Sequence, residues 1–414
     1  MQGKIICVVG LGYVGLPLLH AFVKAGYETS GYDIDTKRIE ELSSGVDRTK
    51  EMTEKDLRKM KSTLSADPTI IGRANIIILA IPTPVDAQNE PDLSRVLSAT
   101  ETVGKNLKAG STVVYESTVY PGVTEELCGP LLEKHSGLKR GKDFFLGYSP
   151  ERVNPGDKEH TIEKIVKIVS GEDEKTTELL LAVYGSIVKA GVHRAPSIKV
   201  AEMAKAIENA QRDLNIAYIN EIAMLCGKLG IETHDVLQAA RTKWNFLPFT
   251  PGLVGGHCIG VDPYYLVAKA REFGMDTTMI SAARKTNDDM ASYVAHQVLS
   301  ALHDPKNSHV LVLGLTFKEN IPDTRNAKSQ DVINVLKKEG CEVKAHDPFT
   351  NGFSLEDEKG VYDAIILLVP HKDYVDKGPA FFAALGKPGC IFYDLKAIFE
   401  RQDVEKLGMT YLAL

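Results

Sequence analysis

A single cysteine lies in a glycine-rich turn at Gly255–Tyr265, which reads GGHCIGVDPYY. Glycine leaves a turn without side-chain cover, so the Cys258 thiol can be approached closely from one side. Four residues later comes a carboxylate, Asp262. The pattern favours a nucleophilic role for Cys258. By contrast, we expect Cys7 to be a small buried residue of the first strand.

A second glycine pattern, GLGYVG, occupies residues 10–15, directly after a nearly continuous apolar run at residues 4–9. Gly10 permits a tight turn at the end of a strand, Gly12 lets backbone amides approach a pyrophosphate, and Gly15 lets the next helix pack close to the sheet. The amides at the start of that helix face the phosphates. The pattern therefore predicts a dinucleotide site.

Asp33 ends the next predicted strand, where a carboxylate accepts both ribose hydroxyls and repels a 2′-phosphate. NAD is therefore favoured over NADP, although Lys37 and Arg38 lie close by and do not exclude NADP. A nicotinamide site together with a nucleophilic thiol indicates an enzyme that oxidises an alcohol beyond the aldehyde. In such a reaction the thiol holds the aldehyde as a thiohemiacetal, a second oxidation gives a thioester, and water releases the acid.

Buried strands alternate with helices in the first part of the chain, which predicts a doubly wound parallel sheet. The predicted strands are residues 4–9, 27–33, 76–81 and 112–115. The same order recurs later, at residues 309–315, 341–347 and 363–370. The second series keeps only Gly314 of the glycine triplet, so we expect it to bind a related ligand with a pyrophosphate, such as a nucleotide sugar, and not a second dinucleotide.

A long helix is predicted between Pro196 and Gly230, and its apolar positions favour packing between domains or between subunits. Lys205, Asn209 and Arg212 share one face of it. From the spacing alone, a solvated stripe explains these three residues as well as a site does. We therefore predict an α/β protein with two Rossmann-like, doubly wound parallel-sheet domains joined by a long central helix. The predicted domains are residues 1–196, 197–300 and 301–414.

Composition narrows the range of partners. The 414 residues carry a formal net charge of −6 and no basic block, which weighs against nucleic acid and anionic membranes. The N-terminus runs directly into a strand, and no apolar run approaches the roughly 20 residues that span a bilayer, so we expect a cytoplasmic protein. The six cysteines show no CxxC spacing, and no cluster of ligand residues indicates a metal.

Six motifs jointly resemble the UDP-glucose/UDP-mannuronic acid dehydrogenase family, and they span nearly the whole chain. They are GLGYVG at 10–15, ESTVYPG at 116–122, YSPERVNPGD at 148–157, the lysine helix at 200–221, PGLVGGHCIGVDPYYL at 251–266 and GLTFKENIPDTRNAKS at 314–329. Within the family, SPER at 149–152 and GHCI at 256–259 are most similar to the N-acetylhexosamine branch.

The resemblance implies oxidation of C6 of a UDP-sugar from alcohol to carboxylate with two NAD per turnover, in glycan precursor synthesis. UDP-N-acetylglucosamine is favoured and UDP-N-acetylgalactosamine comes next, with UDP-N-acetylmannosamine and UDP-glucose as further alternatives. Two other classes stay open. A two-electron hydroxyacid-type dehydrogenase would share the first domain and the lysine helix, and a nucleotide-sugar sensor without catalysis would keep the pockets.

The resemblance also assigns roles to individual residues. Cys258 is the implied nucleophile, and Lys205 and Asn209 stabilise developing negative charge on oxygen, although Lys205 can alternatively act as the base. Asp262 holds a water or takes a proton. The implied residues that order the hydrolytic water are Thr118 and Glu151.

Binding residues follow from the patterns and the resemblance together, and the resemblance implies a homodimer through the central helix. The expected NAD contacts are Gly10, Gly12, Tyr13, Val14, Gly15, Asp33, Arg38, Pro82, Thr83, Ser117 and Thr118. The expected substrate contacts are Glu151, Arg152, Val153, Lys205, Asn209, Arg212, Arg241, Gly255, His257, Tyr264 and Lys318.

Overall fold

The computed structural model describes residues 3–86, 88–153, 159, 161–350 and 352–414. The chain divides into two compact units. The N-terminal unit comprises Met1–Glu208 and Tyr264–Met275, and the C-terminal unit comprises Asn209–Pro263 and Asp276–Leu414. The division into three domains at residues 196 and 300 stays a prediction.

The N-terminal unit contains an eight-stranded sheet of order β3-β2-β1-β4-β5-β6-β7-β8. Its strands are β1 (Ile5–Val9), β2 (Glu28–Tyr32), β3 (Thr63–Ser65), β4 (Ile76–Leu79), β5 (Ser111–Tyr115), β6 (Phe144–Tyr148), β7 (Lys167–Gly171) and β8 (Val192–Arg194). All neighbouring pairs are parallel except β6 and β7. The predicted parallel sheet is confirmed, and its strand order reverses between β1 and β4, where sheets of this type bind ligands.

Helices connect these strands and cover the sheet. They are α1 (Gly15–Lys24), α2 (Thr36–Ser44), α3 (Glu54–Lys59), α4 (Ser94–Asn106), α5 (Gly129–Ser136) and α6 (Glu174–Gly185), with a π-helical turn at Val123–Cys128. Strand β4 and all of β1 except its first residue, Ile5, are buried because their side chains are apolar on both faces. The core packs Ile6 and Val8 of β1 and Ile78 of β4 against Leu19 and Phe22 of α1.

The predicted central helix is confirmed as α7 (Ile198–Leu229), which has 32 residues. Further helices follow it along the chain: α8 (Thr233–Arg241), α9 (Asp262–Glu272) and α10 (Thr278–Ala301). In the described part of the chain, none of the helices combines the length and the apolarity that a membrane crossing requires.

The C-terminal unit contains a five-stranded parallel sheet of order β10-β9-β11-β12-β13. Its strands are β9 (His309–Leu313), β10 (Glu342–His346), β11 (Tyr362–Leu367), β12 (Gly386–Asp394) and β13 (Thr410–Ala413), and its helices are α11 (Ser329–Lys338), α12 (Lys372–Leu385) and α13 (Arg401–Glu405). This order corresponds to the second common doubly wound arrangement. The predicted repeat of the βα series is therefore confirmed.

Candidate active site

The glycine fingerprint forms the turn between β1 and α1. Gly10 has a φ of +90°, and a Cβ there would lie 2.7 Å from the carbonyl oxygen of Ala80. A Cβ on Gly15 would lie 1.8 Å from the carbonyl oxygen of Gly10, so only glycine lets α1 start this close to the strand. At Gly12, no heavy atom of the described residues lies within 4 Å of the Cβ position. The turn therefore fits a dinucleotide, whose pyrophosphate can approach the open peptide.

Asp33 directly follows β2, and both of its carboxylate oxygens accept backbone hydrogen bonds. The Leu11 amide donates to Oδ2 at 2.8 Å and the Asp35 amide donates to Oδ1 at 3.0 Å. Arg38 is buried, its Nε donates to the Leu11 carbonyl at 2.9 Å, and its Nη2 pairs with Asp47 at 2.8 Å. Both residues therefore hold the fingerprint turn, and their direct contacts with NAD stay predictions.

Alanine at Gly12 and alanine at Gly15 should have different effects. We expect Gly12→Ala to unfold within about 2 °C of the wild type but to bind NAD about tenfold more weakly, because its methyl group fills space that a pyrophosphate would take. Gly15→Ala should instead lower the free energy of unfolding by about 1–3 kcal/mol, because its methyl group overlaps the turn. Thermal unfolding and titration calorimetry with NAD measure both effects. Unchanged NAD affinity in Gly12→Ala would contradict the assignment.

Thr83, Ser117 and Thr118 meet where β4 and β5 end. The Thr83 hydroxyl donates to the Thr118 carbonyl at 2.6 Å, and the Ile81 amide donates to the Ser117 hydroxyl at 3.1 Å. Pro82 lies between Ile81 and Thr83 in the chain. Because β1, β4 and β5 are parallel neighbours, these residues share the carboxyl edge of the sheet with the fingerprint turn. The predicted NAD residues are thus brought to one edge.

Glu151 follows β6, and its carboxylate is oriented by the backbone around it. Its Oε1 accepts hydrogen bonds from the amides of Arg152 at 2.6 Å and Val153 at 2.5 Å. The Arg152 guanidinium pairs with Glu208 of α7 at 2.7 Å. Such fixed orientation suits a group that accepts a proton from water. The remaining residues of this motif, 154–157, lie outside the described residues.

A second glutamate, which the sequence analysis did not select, joins the turn after β5 to α7. Glu202 is fully buried and accepts hydrogen bonds from the amides of Gly122 at 2.6 Å and Thr124 at 3.0 Å. Burial raises the pKa of Glu202 to about 7, although the two backbone donors act in the opposite direction. Glu202 precedes Lys205 by about one helical turn, so it anchors the part of α7 that carries the lysine.

The pKa of Glu202 predicts a pH-dependent stability. Its folded state holds the proton more tightly than the unfolded state, so this group should lower the free energy of unfolding as pH rises from about 4.5 to 7. We expect the free energy of unfolding of Glu202→Gln, relative to that of the wild type, to rise by on the order of 3 kcal/mol between pH 4.5 and pH 8. Denaturant titrations at several pH values measure this difference.

Glu126→Gln is the control for that titration. An ion pair with Lys199 lowers the pKa of the half-exposed Glu126, so its substitution should give a small effect of opposite sign. A relative stability of Glu202→Gln that does not change with pH would show that the buried carboxylate does not titrate in this range.

The cysteine loop belongs to the C-terminal unit and leads into α9. All six cysteines are described, and only Cys258 is exposed. Its carbonyl accepts hydrogen bonds from the amides of Val261 at 3.1 Å and Asp262 at 2.9 Å, so the thiol lies in a turn at the start of the helix. By contrast, burial raises the pKa of Cys7 to about 11 and that of Cys390 to about 12. Cys258 is therefore the accessible thiol, as predicted.

The glycines before Cys258 allow this loop to contact the loop after β9. A Cβ on Gly255 would lie 2.6 Å from the carbonyl oxygen of Asn326, and a Cβ on Gly256 would lie 2.7 Å from the ring of Phe317. The Gly256 amide donates to the Asn326 carbonyl at 3.2 Å, and Asn326 Nδ2 donates to the Gly256 carbonyl at 3.4 Å. The glycines thus serve close packing as well as access to the thiol.

Asn209 and Asp262 are brought together in the C-terminal unit. Asn209 Nδ2 donates to Asp262 Oδ2 at 2.5 Å, and both residues are buried. Lys205 is also buried and lies one turn before Asn209 on α7, so helical periodicity puts the two on the same face. Arg212, the third polar residue that we expected on this face, is exposed, whereas Lys205 and Asn209 are buried.

His257 is held beside the same loop. Its Nε2 lies 3.6 Å from the Asp323 carboxylate, and its ring meets Phe317 edge-on. Burial, followed by the charge of Arg325, lowers the pKa of His257. A neutral ring in this position supports the loop, and contact with the substrate stays a prediction.

Two further predicted substrate residues, Tyr264 and Arg241, lie in the N-terminal unit and in the C-terminal unit, respectively. Tyr264 is half-buried, whereas its neighbour Tyr265 is fully buried and donates to the Thr83 carbonyl at 2.9 Å. Arg241 is exposed at the end of α8, where its Nη2 donates to the Phe249 carbonyl at 3.4 Å. Their substrate contacts stay predictions.

A buried polar network supports the segment that precedes the cysteine loop. Asn220 of α7 donates to the Gly252 carbonyl at 3.1 Å and accepts from the Gly252 amide at 2.8 Å. Asn220 also donates to Asn287 of α10 at 2.8 Å, and Asn287 donates to Asp213 at 2.7 Å. Arg284 completes the network with an ion pair to Asp213 at 2.5 Å. These residues were missed because their partners are distant in sequence.

A shallow cleft lies at the carboxyl edge of the second sheet. Its charged residues are three lysines, Lys318, Lys328 and Lys396, and one glutamate, Glu319. Lys328 is ion-paired with Asp288 and Lys396 with Glu319, so Lys318 is the cation of this cleft that best suits a pyrophosphate, as we expected for the second βα series.

Asp347 occupies the position in this series that Asp33 occupies in the first. The Leu315 amide donates to its Oδ2 at 2.7 Å, the Phe349 amide donates to its Oδ1 at 2.8 Å, and His371 Nε2 lies 3.0 Å from Oδ2. Asp347 is fully buried, and despite burial these donors hold its pKa well below the usual range. The two backbone donors match those at Asp33, and His371 is the additional protein group that contacts the Asp347 carboxylate.

Models of one protein family match three successive parts of the chain. The UDP-glucose/GDP-mannose dehydrogenase family matches with its NAD binding domain at residues 4–188, its central domain at residues 199–289 and its UDP binding domain at residues 311–401.

Curated relatives and a solved structure agree with this match. The chain is 49% identical to Protein CapL of Staphylococcus aureus over 96% of this chain and 97% of the relative. It is 46% identical to a UDP-N-acetyl-D-glucosamine 6-dehydrogenase of Pseudomonas aeruginosa over 97% of this chain and 98% of the relative. The solved UDP-D-ManNAc dehydrogenase of Pyrococcus horikoshii superposes with a TM-score of 0.91 at 31% identity, over 99% of this chain and 98% of that one. The chain belongs to the UDP-glucose/GDP-mannose dehydrogenase family and is an NAD-dependent UDP-sugar dehydrogenase.

Proposed function

We propose that this protein oxidises C6 of UDP-N-acetylglucosamine to the uronic acid in two steps, through a thioester on Cys258. The exposed Cys258 thiol, in its turn before Asp262, is the observation that carries the proposal. Relatives named UDP-N-acetyl-D-glucosamine 6-dehydrogenase, at 46% identity, support the choice of sugar. UDP-N-acetylgalactosamine is the next candidate, followed by UDP-N-acetylmannosamine, the sugar in the name of a 35% identical relative.

The reaction balances as one alcohol, two NAD⁺ and one water giving one carboxylate, two NADH and three protons. NAD supplies the hydride acceptor for both oxidations. After the first oxidation, the Cys258 thiolate attacks the aldehyde carbon and forms the C–S bond of a thiohemiacetal. The second oxidation gives the thioester. Attack by water then forms a C–O bond, breaks the C–S bond and returns the thiolate.

The chain supplies charge stabilisation and proton transfer to this sequence. Lys205 and the amide of Asn209 donate to the oxygen that becomes negative, or Lys205 takes the alcohol proton as base. Asn209 is already held by Asp262, which orients its amide. For hydrolysis, Glu151 takes a proton from the water, and Thr118 helps to order that water.

The substrate nucleotide is proposed to bind in the cleft of the C-terminal unit. Lys318 lies in this cleft and can bind the pyrophosphate as a point charge. Gly255 lines the same cleft, so the cysteine loop begins at its wall. This arrangement would bring the sugar of a bound UDP-sugar toward the loop that carries the thiol.

A panel of four UDP-sugars tests the proposal. NADH formation is measured with UDP-N-acetylglucosamine, UDP-N-acetylgalactosamine, UDP-N-acetylmannosamine and UDP-glucose, and the NADH formed per sugar consumed is counted. We expect two NADH per sugar and the highest kcat/KM with UDP-N-acetylglucosamine. One NADH per sugar would indicate a two-electron dehydrogenase, and no NADH with any sugar would favour a nucleotide-sugar sensor.

We further propose a homodimer formed through α7. Six large apolar side chains of this helix are exposed: Val200, Met203, Ile207, Tyr218, Leu225 and Leu229. At 100° per residue they fall within an arc of about 80°, on the side opposite to Asn209. A continuous apolar stripe of this kind indicates a buried partner surface.

Light scattering after size exclusion tests the dimer. Tyr218→Glu introduces a charge into the stripe and should yield monomers, whereas Tyr218→Phe keeps the stripe apolar and should leave the dimer intact. A dimer of unchanged stability in Tyr218→Glu would locate the interface elsewhere.

A further inference from the structure

A buried lysine lies beside Glu151 on the side away from its backbone donors. Lys167 Nζ is 3.5 Å from Glu151 Oε2 and 2.7 Å from Glu116 Oε2. The other oxygen of Glu116 accepts a hydrogen bond from the Tyr184 hydroxyl at 2.6 Å. The four side chains thus form one continuous series, from Tyr184 through Glu116 and Lys167 to Glu151.

This series is closed to water at one end and reaches solvent at the other. Tyr184 is 0%, Glu116 2% and Lys167 3% exposed, whereas the Glu151 side chain is 14% exposed. Buried ion pairs contribute little to stability, because desolvation offsets their attraction. Stability alone is therefore a poor reason to keep two carboxylates and an ammonium group here.

The antiparallel strand β7 is what places Lys167 at this edge. Tyr148 pairs with Ser170 across β6 and β7, and continuing this register by three residues puts Glu151 opposite Lys167. The first residue of a parallel strand would instead lie at the amino edge of the sheet, away from the ligands. The single antiparallel pair of this sheet thus brings a cation to the carboxyl edge.

The charges of the series depend on each other. Burial alone would lower the pKa of Lys167, but the Glu116 and Glu151 carboxylates outweigh burial and raise it above its usual value. Burial raises the pKa of Glu116, and the adjacent lysine opposes that shift. Lys167 therefore stays cationic at neutral pH and keeps a positive charge next to Glu151.

We propose that Lys167, held by Glu116, is a positioning residue for thioester hydrolysis. Its ammonium group lies against Glu151 Oε2 and keeps the carboxylate turned toward the water that attacks the thioester. The inference rests on the proposed function, because it requires the Cys258 thioester. In this step Glu151 takes one proton from water, a C–O bond forms, the C–S bond breaks and the Cys258 thiolate leaves.

The test separates oxidation from hydrolysis by stopped-flow measurement of NADH, using the UDP-sugar that gives the highest activity. The variant is Lys167→Met combined with Glu116→Gln, which removes both charges and leaves no buried carboxylate of that pair unpaired. We expect a burst of two NADH per active site at nearly the wild-type rate, followed by turnover that is about tenfold slower or more. Mass spectrometry of acid-quenched samples should find the sugar on the peptide that contains Cys258.

Two further variants make the outcome decisive. Lys189→Met combined with Glu163→Gln makes the same changes in an exposed ion pair of the same unit. The first turnover and the steady-state rate of NADH formation in this variant should both match the wild type. Glu151→Gln should show the same burst as the buried double variant. If Glu151→Gln shows the burst but the buried double variant does not, the role of Lys167 is wrong. If neither variant shows a burst, the assignment of Glu151 in the proposed function is wrong as well.

Discussion

Cys258→Ser should lower the formation of uronic acid by about 10³-fold or more, because the hydroxyl group of serine is a far weaker nucleophile than a thiolate. The fold should persist, since Cys258 is exposed and its structural hydrogen bonds come from its backbone carbonyl. Any aldehyde that serine does capture would be oxidised to an ester, which hydrolyses slowly and should accumulate on the protein. Steady-state NADH assays and intact-protein mass spectrometry measure the two effects.

Cys341→Ser is the matched control, because it makes the same atomic change in the same unit. Cys341 is buried, and burial raises its pKa, so it should take no part in the reaction. We expect turnover of this variant within about twofold of the wild type once the folded fraction is taken into account. Turnover near the wild-type level in Cys258→Ser would rule out the covalent step and return the reaction to simple two-step oxidation.

Arg284→Met should lower the free energy of unfolding by about 3–5 kcal/mol. Arg284 is 3% and Asp213 1% exposed, and their ion pair is 2.5 Å long, so the substitution leaves a buried carboxylate without its cation. Asn287 also donates to Asp213 and holds Asn220, which binds the peptide at Gly252. Loss of the ion pair should therefore loosen the segment that leads to the cysteine loop. Denaturant unfolding at pH 7 measures the stability.

The neighbouring residue provides the control for this prediction. Lys285 pairs with Asp289, and both side chains are largely exposed. Lys285→Met should change stability by less than about 1 kcal/mol, because water screens exposed ion pairs. Arg284→Met combined with Asp213→Asn should recover part of the lost free energy of unfolding, since neither member of the pair then carries a buried charge. An equal loss in Arg284→Met and Lys285→Met would show that burial of the pair is unimportant.

Local patterns were sufficient to predict the fold, whereas the roles of the reactive groups stay predictions. The fingerprint at residues 10–15 and the apolar strands can be recognised because a turn, a strand and the start of a helix each depend on neighbouring residues. The spacing of Lys205 and Asn209 likewise follows from the helical repeat. The same repeat put Arg212 with them, but α7 buries only the first two, because burial depends on what packs against the helix.

Sequence patterns are enough to identify the dinucleotide turn, the cysteine in its glycine-rich turn and a second βα series suited to a pyrophosphate. The fold is needed to see what each carboxylate contacts: Glu202 accepts from the amides of Gly122 and Thr124, Glu151 lies beside Lys167, and Asp347 lies beside His371. These contacts arise because strand order and register bring together residues that lie far apart along the chain. Their charges then depend on desolvation and on these partners, and neither is encoded in spacing.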